Sequence, residues 1–87
     1  MSRQGKTLRK IREKSGLIQS DLAKSMGYGG PQIVSNWERG LCGMPPNKAA
    51  LFCKLTKADP KVVSKIILEY SMDKIKMKMS SRRSKVE

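Results

Sequence analysis

The residues with most to say about chemistry are two side-chain amides, Gln32 and Asn36. They stand four residues apart, one helical turn, so on a helix they share a face. An amide holds a donor and an acceptor side by side, a pattern that pairs bidentately with N6 and N7 of adenine in the DNA major groove. Ser35 adds a hydroxyl that can reach a base edge from the same face. Val34 and Trp37, at i and i+3, would anchor the opposite face. Gln32, Ser35 and Asn36 are thus the candidate base-reading residues. The plainer alternative, soluble surface amides, carries less weight once the turn and the charge around them are considered.

Those side chains need a scaffold, and the stretch from Leu17 to Gly40, LIQSDLAKSMGYGGPQIVSNWERG, supplies one: helix, glycine turn, helix. The second helix of the chain is expected from about Gln19, with Leu22, Ala23 and Met26 on one face and Gly27 as its stop. Tyr28, Gly29 and Gly30 form the turn. Pro31 suits the first position of the third helix, where a missing N–H costs nothing, and that helix runs to about Arg39, with Gly40 ending it. Before this unit, a first helix is expected from Lys6, with Leu8 and Ile11 inward and Gly16 as a left-handed cap. Met1 to Gln4 are expected to fray.

After a loop from Leu41 to Pro46, a fourth helix is expected from about Pro46 to Lys57, with Ala50, Leu51, Cys53 and Leu55 as core candidates. Asp59-Pro60 reads as an N-cap followed by a first-position proline. The fifth helix then carries Val63, Ile66, Ile67 and Tyr70 and runs toward Met77. The tail from Ser80 is polar and basic and is expected to be disordered. No strand pattern interrupts the series. The expected architecture is an all-α, compact five-helix domain over residues 1–70, followed by a basic C-terminal extension, 71–87, partly helical and then disordered.

Charge names the class of partner. The 87 residues carry 19 Lys and Arg against 7 Asp and Glu, a net charge of +12. Such an imbalance favours a polyanion. Half or more of the hydrogen bonds in protein–DNA interfaces go to the backbone, and Gln19 at the start of the second helix, with Arg39 and Lys48 after the third, are the candidate phosphate contacts. Each neutralised phosphate releases counterions, so binding should weaken with salt. Catalysis finds no support: there is no histidine, the carboxylates Asp21, Glu38, Asp59 and Glu69 are scattered, and no glycine-rich phosphate loop is present. Cys42 and Cys53 cannot complete a four-ligand metal site, so no metal and no cofactor are expected. No apolar run approaches the roughly 20 residues of a membrane span, and no apolar signal region marks the N-terminus. A cytoplasmic, DNA-associated chain follows.

The segment Leu17 to Gly40, with Leu8-Arg9-Lys10-Ile11-Arg12 before it, resembles the phage-repressor/Cro helix-turn-helix family, also called the XRE family. The resemblance covers roughly Lys6 to Leu68. It rests on Leu17-x-Gln19, Leu22-Ala23, Gly27 and Val34-Ser35-Asn36-Trp37-Glu38-Arg39-Gly40, strong together and weak singly. It implies a five-helix lambda-repressor-like domain, bacterial or phage-encoded, whose third helix enters the major groove, often as a dimer on a palindromic operator. It also implies a structural ion pair between Arg12 on the first helix and Glu38 ending the third, and phosphate contact by Gln19. Two departures stand out. Ile18 occupies a position where the family usually has a capping Thr or Ser. The turn is one residue longer than in the simplest members, which offers the Gly29 or Gly30 backbone as a phosphate contact.

The sequence-level reading is therefore a sequence-specific, double-stranded-DNA-binding transcriptional regulator, of repressor type, and not an enzyme. A homodimer would read two half-sites about 34 Å apart, with Ile67, Tyr70, Met72, Ile75, Met77 and Met79 as a candidate seam. The basic residues Lys74, Lys76, Lys78, Arg82, Arg83 and Lys85 are expected to track phosphates. Alternatives are an antitoxin-type autoregulator binding a toxin, or a protein adaptor meeting a partner through the fifth helix and the tail. RNA binding ranks below these, because few aromatic side chains are available to stack on unpaired bases.

Overall fold

The computed structural model describes residues 3–86, with side chains placed for residues 3–76. The chain forms α1 (Arg3–Lys14), α2 (Gln19–Ser25) and α3 (Gln32–Arg39), then a 3-10 turn (Pro46–Lys48) that leads straight into α4 (Ala49–Thr56), and finally α5 (Pro60–Val86). No strand occurs among the described residues. The domain is all-α with five helices, and α3 packs on both α1 and α2 while α5 packs on α4 and α1.

One core joins all five helices. Leu22, Met26, Val34, Phe52 and Val63 are fully buried, with Leu8, Trp37, Met44 and Ile66 around them. Burying a side chain of this size contributes about 1.5–3 kcal/mol. The periodic positions explain the packing: Leu8 on α1, Leu22-Ala23-Met26 on α2, Val34 and Trp37 on α3, and Val63 and Ile66 on α5 each mark the inward stripe of an amphipathic helix.

The helix ends are set by local chemistry. α2 and α3 stop in the same way. A glycine adopts the left-handed conformation, Gly27 at φ +89° and Gly40 at φ +79°. The next amide then reaches back over the last turn, Tyr28 N–H to Ala23 O at 2.9 Å and Leu41 N–H to Asn36 O at 2.9 Å. This motif satisfies carbonyls that a helix end otherwise leaves open. At the start of α5 the Asp59 carboxylate accepts the Lys61 N–H at 2.9 Å, closing the first turn. α2, by contrast, begins at Ile18 with no side-chain cap. Lys57 ends α4 in the left-handed region, φ +59°, without being glycine.

The structure corrects several expectations. α1 begins at Arg3, not Lys6, because long-range partners hold its first turn: Arg3 pairs with Glu69 at 2.7 Å, and Gln4, itself buried, donates to Asp73 at 2.9 Å. Of the expected α4 core positions, Cys53 is buried, Leu51 and Leu55 pack partly buried against the core and Ala50 is exposed, while Phe52 and Thr56 are buried as well. The 3-10 turn delays the start of α4 to Ala49. Thr56 tolerates burial because its hydroxyl donates to Phe52 O at 2.8 Å. α5 runs to Val86, through a sequence with neither Gly nor Pro after Pro60. Of the candidate seam, Ile67 packs against the core and the Tyr70 ring lies on Gly43. Met72 and Ile75 are exposed. Met77 and Met79, with Lys78, Arg82, Arg83 and Lys85, lie outside the described side chains.

Candidate nucleic-acid interface

α3 is an eight-residue helix with two unlike faces. Val34 and Trp37 are buried, and Gln32 is exposed while Ser35 and Asn36 are half-buried. The Gln32 Nε2 donates to Asn36 Oδ1 at 2.9 Å. The two amides therefore act as a linked unit, and the bond leaves the Gln32 carbonyl as an acceptor and the Asn36 NH2 as a donor. That donor–acceptor pair complements the N6 and N7 edge of adenine.

What fixes the aim of that face lies underneath it. Glu38, in the last turn of α3, is buried and accepts from Arg12 Nε at 2.6 Å and Arg12 Nη2 at 3.2 Å. Its Oε1 also accepts from Gln19 Nε2 at 3.0 Å. Arg12 Nη1 donates to Leu17 O at 2.8 Å, in the link between α1 and α2. One carboxylate thus ties α1, α2 and α3 together. A bidentate guanidinium–carboxylate pair constrains direction as well as distance, so it sets the roll of α3 relative to its neighbours. A negative group at a helix C-terminus opposes the helix dipole, and the Arg12 guanidinium offsets that.

The turn side of α3 is braced as well. Tyr28 meets Trp37 edge-to-face, with ring centroids 5.7 Å apart at 80°. The Lys48 ammonium lies 5.2 Å from the centroid of the Tyr28 ring and donates to Met26 O at 3.2 Å. A cation at this place satisfies a carbonyl at the end of α2 and complements its dipole. Trp37 Nε1 is buried without a hydrogen-bond partner, which costs about 1–3 kcal/mol.

The candidate site residues therefore separate into groups. Gln32, Ser35 and Asn36 come together on one face of α3. Arg39 follows them, exposed, at the end of α3, and Gly30 is half-buried in the turn with open space above its Cα. Gln19 and Lys48 have their polar heads engaged within the domain, by Glu38 and by Met26 O with Tyr28. These partners lie 19 and 22 residues away in the chain, beyond the reach of local pattern. The structure brings Arg9 beside these residues. It lines a concavity with Arg12, Ile18, Gln19, Ser20 and Pro31, between α1 and the starts of α2 and α3. Arg9 is half exposed and only loosely paired, its Nε 3.4 Å from Glu13.

No group of His, Cys, Asp and Glu among the described residues could hold a metal ion. No helix among them is long and apolar enough to cross a membrane. No protein-family model, curated protein or solved structure matches the chain.

Proposed function

We propose that this chain is a sequence-specific binder of double-stranded DNA, a transcriptional regulator of repressor type, that reads the major groove with α3. The observation that carries the reading is the bonded Gln32–Asn36 pair on the open face of a helix whose other face is held by Val34, Trp37 and the buried Arg12–Glu38 pair. A base reader needs such preorganisation, since each bidentate contact discriminates between bases by about 1–3 kcal/mol only when the side chain is aimed. The net charge of +12 supplies the attraction to the duplex. Arg39, at the end of α3, and Arg9, in the concavity beside its start, make the phosphate contacts, joined by the Gly30 backbone. The resemblance of Leu17–Gly40 to the phage-repressor/Cro family supports the same docking, and with it a bacterial or phage setting and a cytoplasmic location. Repression follows from occupancy: a bound operator excludes polymerase.

Selection of bound sequences from random duplex DNA, at about physiological salt, tests this directly. The expected result is a consensus with an invariant adenine, relaxed at that position alone by Gln32→Ala or Asn36→Ala. Arg39→Ala should weaken all sequences alike and lower the salt slope by about 1. Recovery of no consensus would sink the proposal.

A further inference from the structure

A surface that the proposed DNA contact does not use runs along the exposed side of α5. Val63 and Ile66 are buried in the core, and Ile67 and Tyr70 pack behind them. Leu68, Met72 and Ile75 are exposed, at 62%, 47% and 53%. Their separation is four residues and then three, and in the sequence the next step of four reaches Met79, after which Arg82 takes the following seam position. Alternation of four and three is the spacing of a coiled-coil seam. At 3.6 residues per turn, Leu68, Met72 and Ile75 lie within about 60° of one another, on the face opposite Ile66 and Tyr70.

The width of the stripe identifies what covers it. A helix that lies on a lipid surface presents a broad apolar face, with bulky Trp, Phe or Leu side chains. Here the apolar band is one side chain wide, with the exposed Ser64 and Ser71 on one edge and Lys65 and Lys76 on the other, and no aromatic residue in it. That is room for one helix. Charge then decides which helix. The positions bordering the seam further along the sequence are Lys78, Arg83 and Lys85, and the one bordering carboxylate, Glu69, is held by Arg3 at 2.7 Å. A second copy of this chain would set lysine and arginine against lysine and arginine in either orientation, which disfavours pairing. A helix with acidic residues at the corresponding positions would complement them.

We propose that α5 docks an acidic amphipathic helix of another protein along Leu68, Met72 and Ile75, with the bordering lysines paired to its carboxylates. The surface lies apart from α3, so the contact is compatible with bound DNA and would bring a second protein to it.

The test uses the full chain and a labelled synthetic peptide with Leu at its seam positions and Glu at the flanking ones, read by fluorescence anisotropy. The expected result is saturable binding that weakens with salt and falls about tenfold or more, about 1.4 kcal/mol, in a Leu68→Ser/Met72→Ser/Ile75→Ser variant whose helical circular dichroism is unchanged. Should that variant fail to fold, Lys65→Glu/Lys76→Glu serves instead, and its preference should swing toward a peptide with Lys in place of the flanking Glu. Equal binding of the Glu and Lys peptides by the unaltered chain would overturn the proposal, as would no binding of either. So would self-association in sedimentation equilibrium that the triple variant abolishes, or adsorption to anionic phospholipid vesicles that it abolishes. None of these outcomes bears on the DNA selection, which keeps the two readings separable.

Discussion

Among the described residues, two ion pairs tie α1 to the rest of the domain, one near each end of the helix, and they are almost equal in length. Arg12–Glu38 closes at 2.6 Å and Arg3–Glu69 at 2.7 Å. Their surroundings differ. The side chains of the first pair are 10% and 3% exposed, those of the second 81% and 31%. Distance alone would rank them together, but water separates them. An exposed pair exchanges one set of hydrogen-bond partners for another and is screened by salt, so it contributes about 0–1 kcal/mol. A buried pair is little better than an apolar replacement as a unit, yet losing one partner strands the other charge and costs about 3–5 kcal/mol. The ion pair at the α3 end of α1 is therefore built to hold one geometry, and the ion pair at the α5 end comes apart at little cost.

Substitution can break that contrast. Glu38→Ala leaves the Arg12 guanidinium and the Gln19 amide without their acceptor, and urea unfolding should show a loss of about 3–5 kcal/mol. If the loss matched that of Arg3→Ala, burial would not be what distinguishes the pairs. Between the extremes stands Gln4, buried and bonded to the Asp73 carboxylate. Gln4→Ala should cost about 1.5–3 kcal/mol, the range for a hydrogen bond to a charged group. Arg3→Ala should cost less than about 1 kcal/mol, and molar salt should erase the difference from the unaltered chain while leaving the Glu38→Ala deficit in place.

The smallest effect concerns the thiols. Burial, helped by the Asp59 carboxylate, pushes the Cys53 thiol above its ordinary value of 9.0, whereas Cys42 is only half-buried. Cys42 should react first with an aromatic disulfide reagent at neutral pH, and Cys53 only as the chain opens. The sign of the linkage follows. A raised thiol pKa means that the folded chain holds its proton more tightly. The resulting stability is complete below pH 9 and declines as pH rises further. Cys53→Ala should flatten that alkaline decline; an unchanged slope would remove Cys53 as its source.

Glycine spacing makes the centre of the domain readable from the sequence. Gly16, Gly27 and Gly40 fall at helix ends, and the apolar residues between them have the period of a helix, so α2 and α3 and their inward faces follow from local chemistry. The amide face of α3 was legible for the same reason. What local pattern does not carry are contacts between distant segments. Gln4 owes its order to Asp73, Gln19 turns inward to Glu38, and Lys48 bends onto Met26 O and Tyr28. Met44 is buried from within a loop, where no period exists to announce it. On α4, Phe52 lies between the expected positions Leu51 and Cys53, and its burial comes from tertiary packing that local pattern does not carry. Leu68 lies outside the core period of α5, the same fact that leaves it exposed.

The chain has one tryptophan, and it lies in α3. Trp37 is 3% exposed, its indole nitrogen is unbonded, and Tyr28 meets it edge-on. The molecule consequently carries its own optical probe at the element proposed to touch DNA. In the folded chain the indole should emit at short wavelength, as in an apolar solvent, and shift to the red when water reaches it. A single emission spectrum then reports whether α3 is seated, without a label and without a partner.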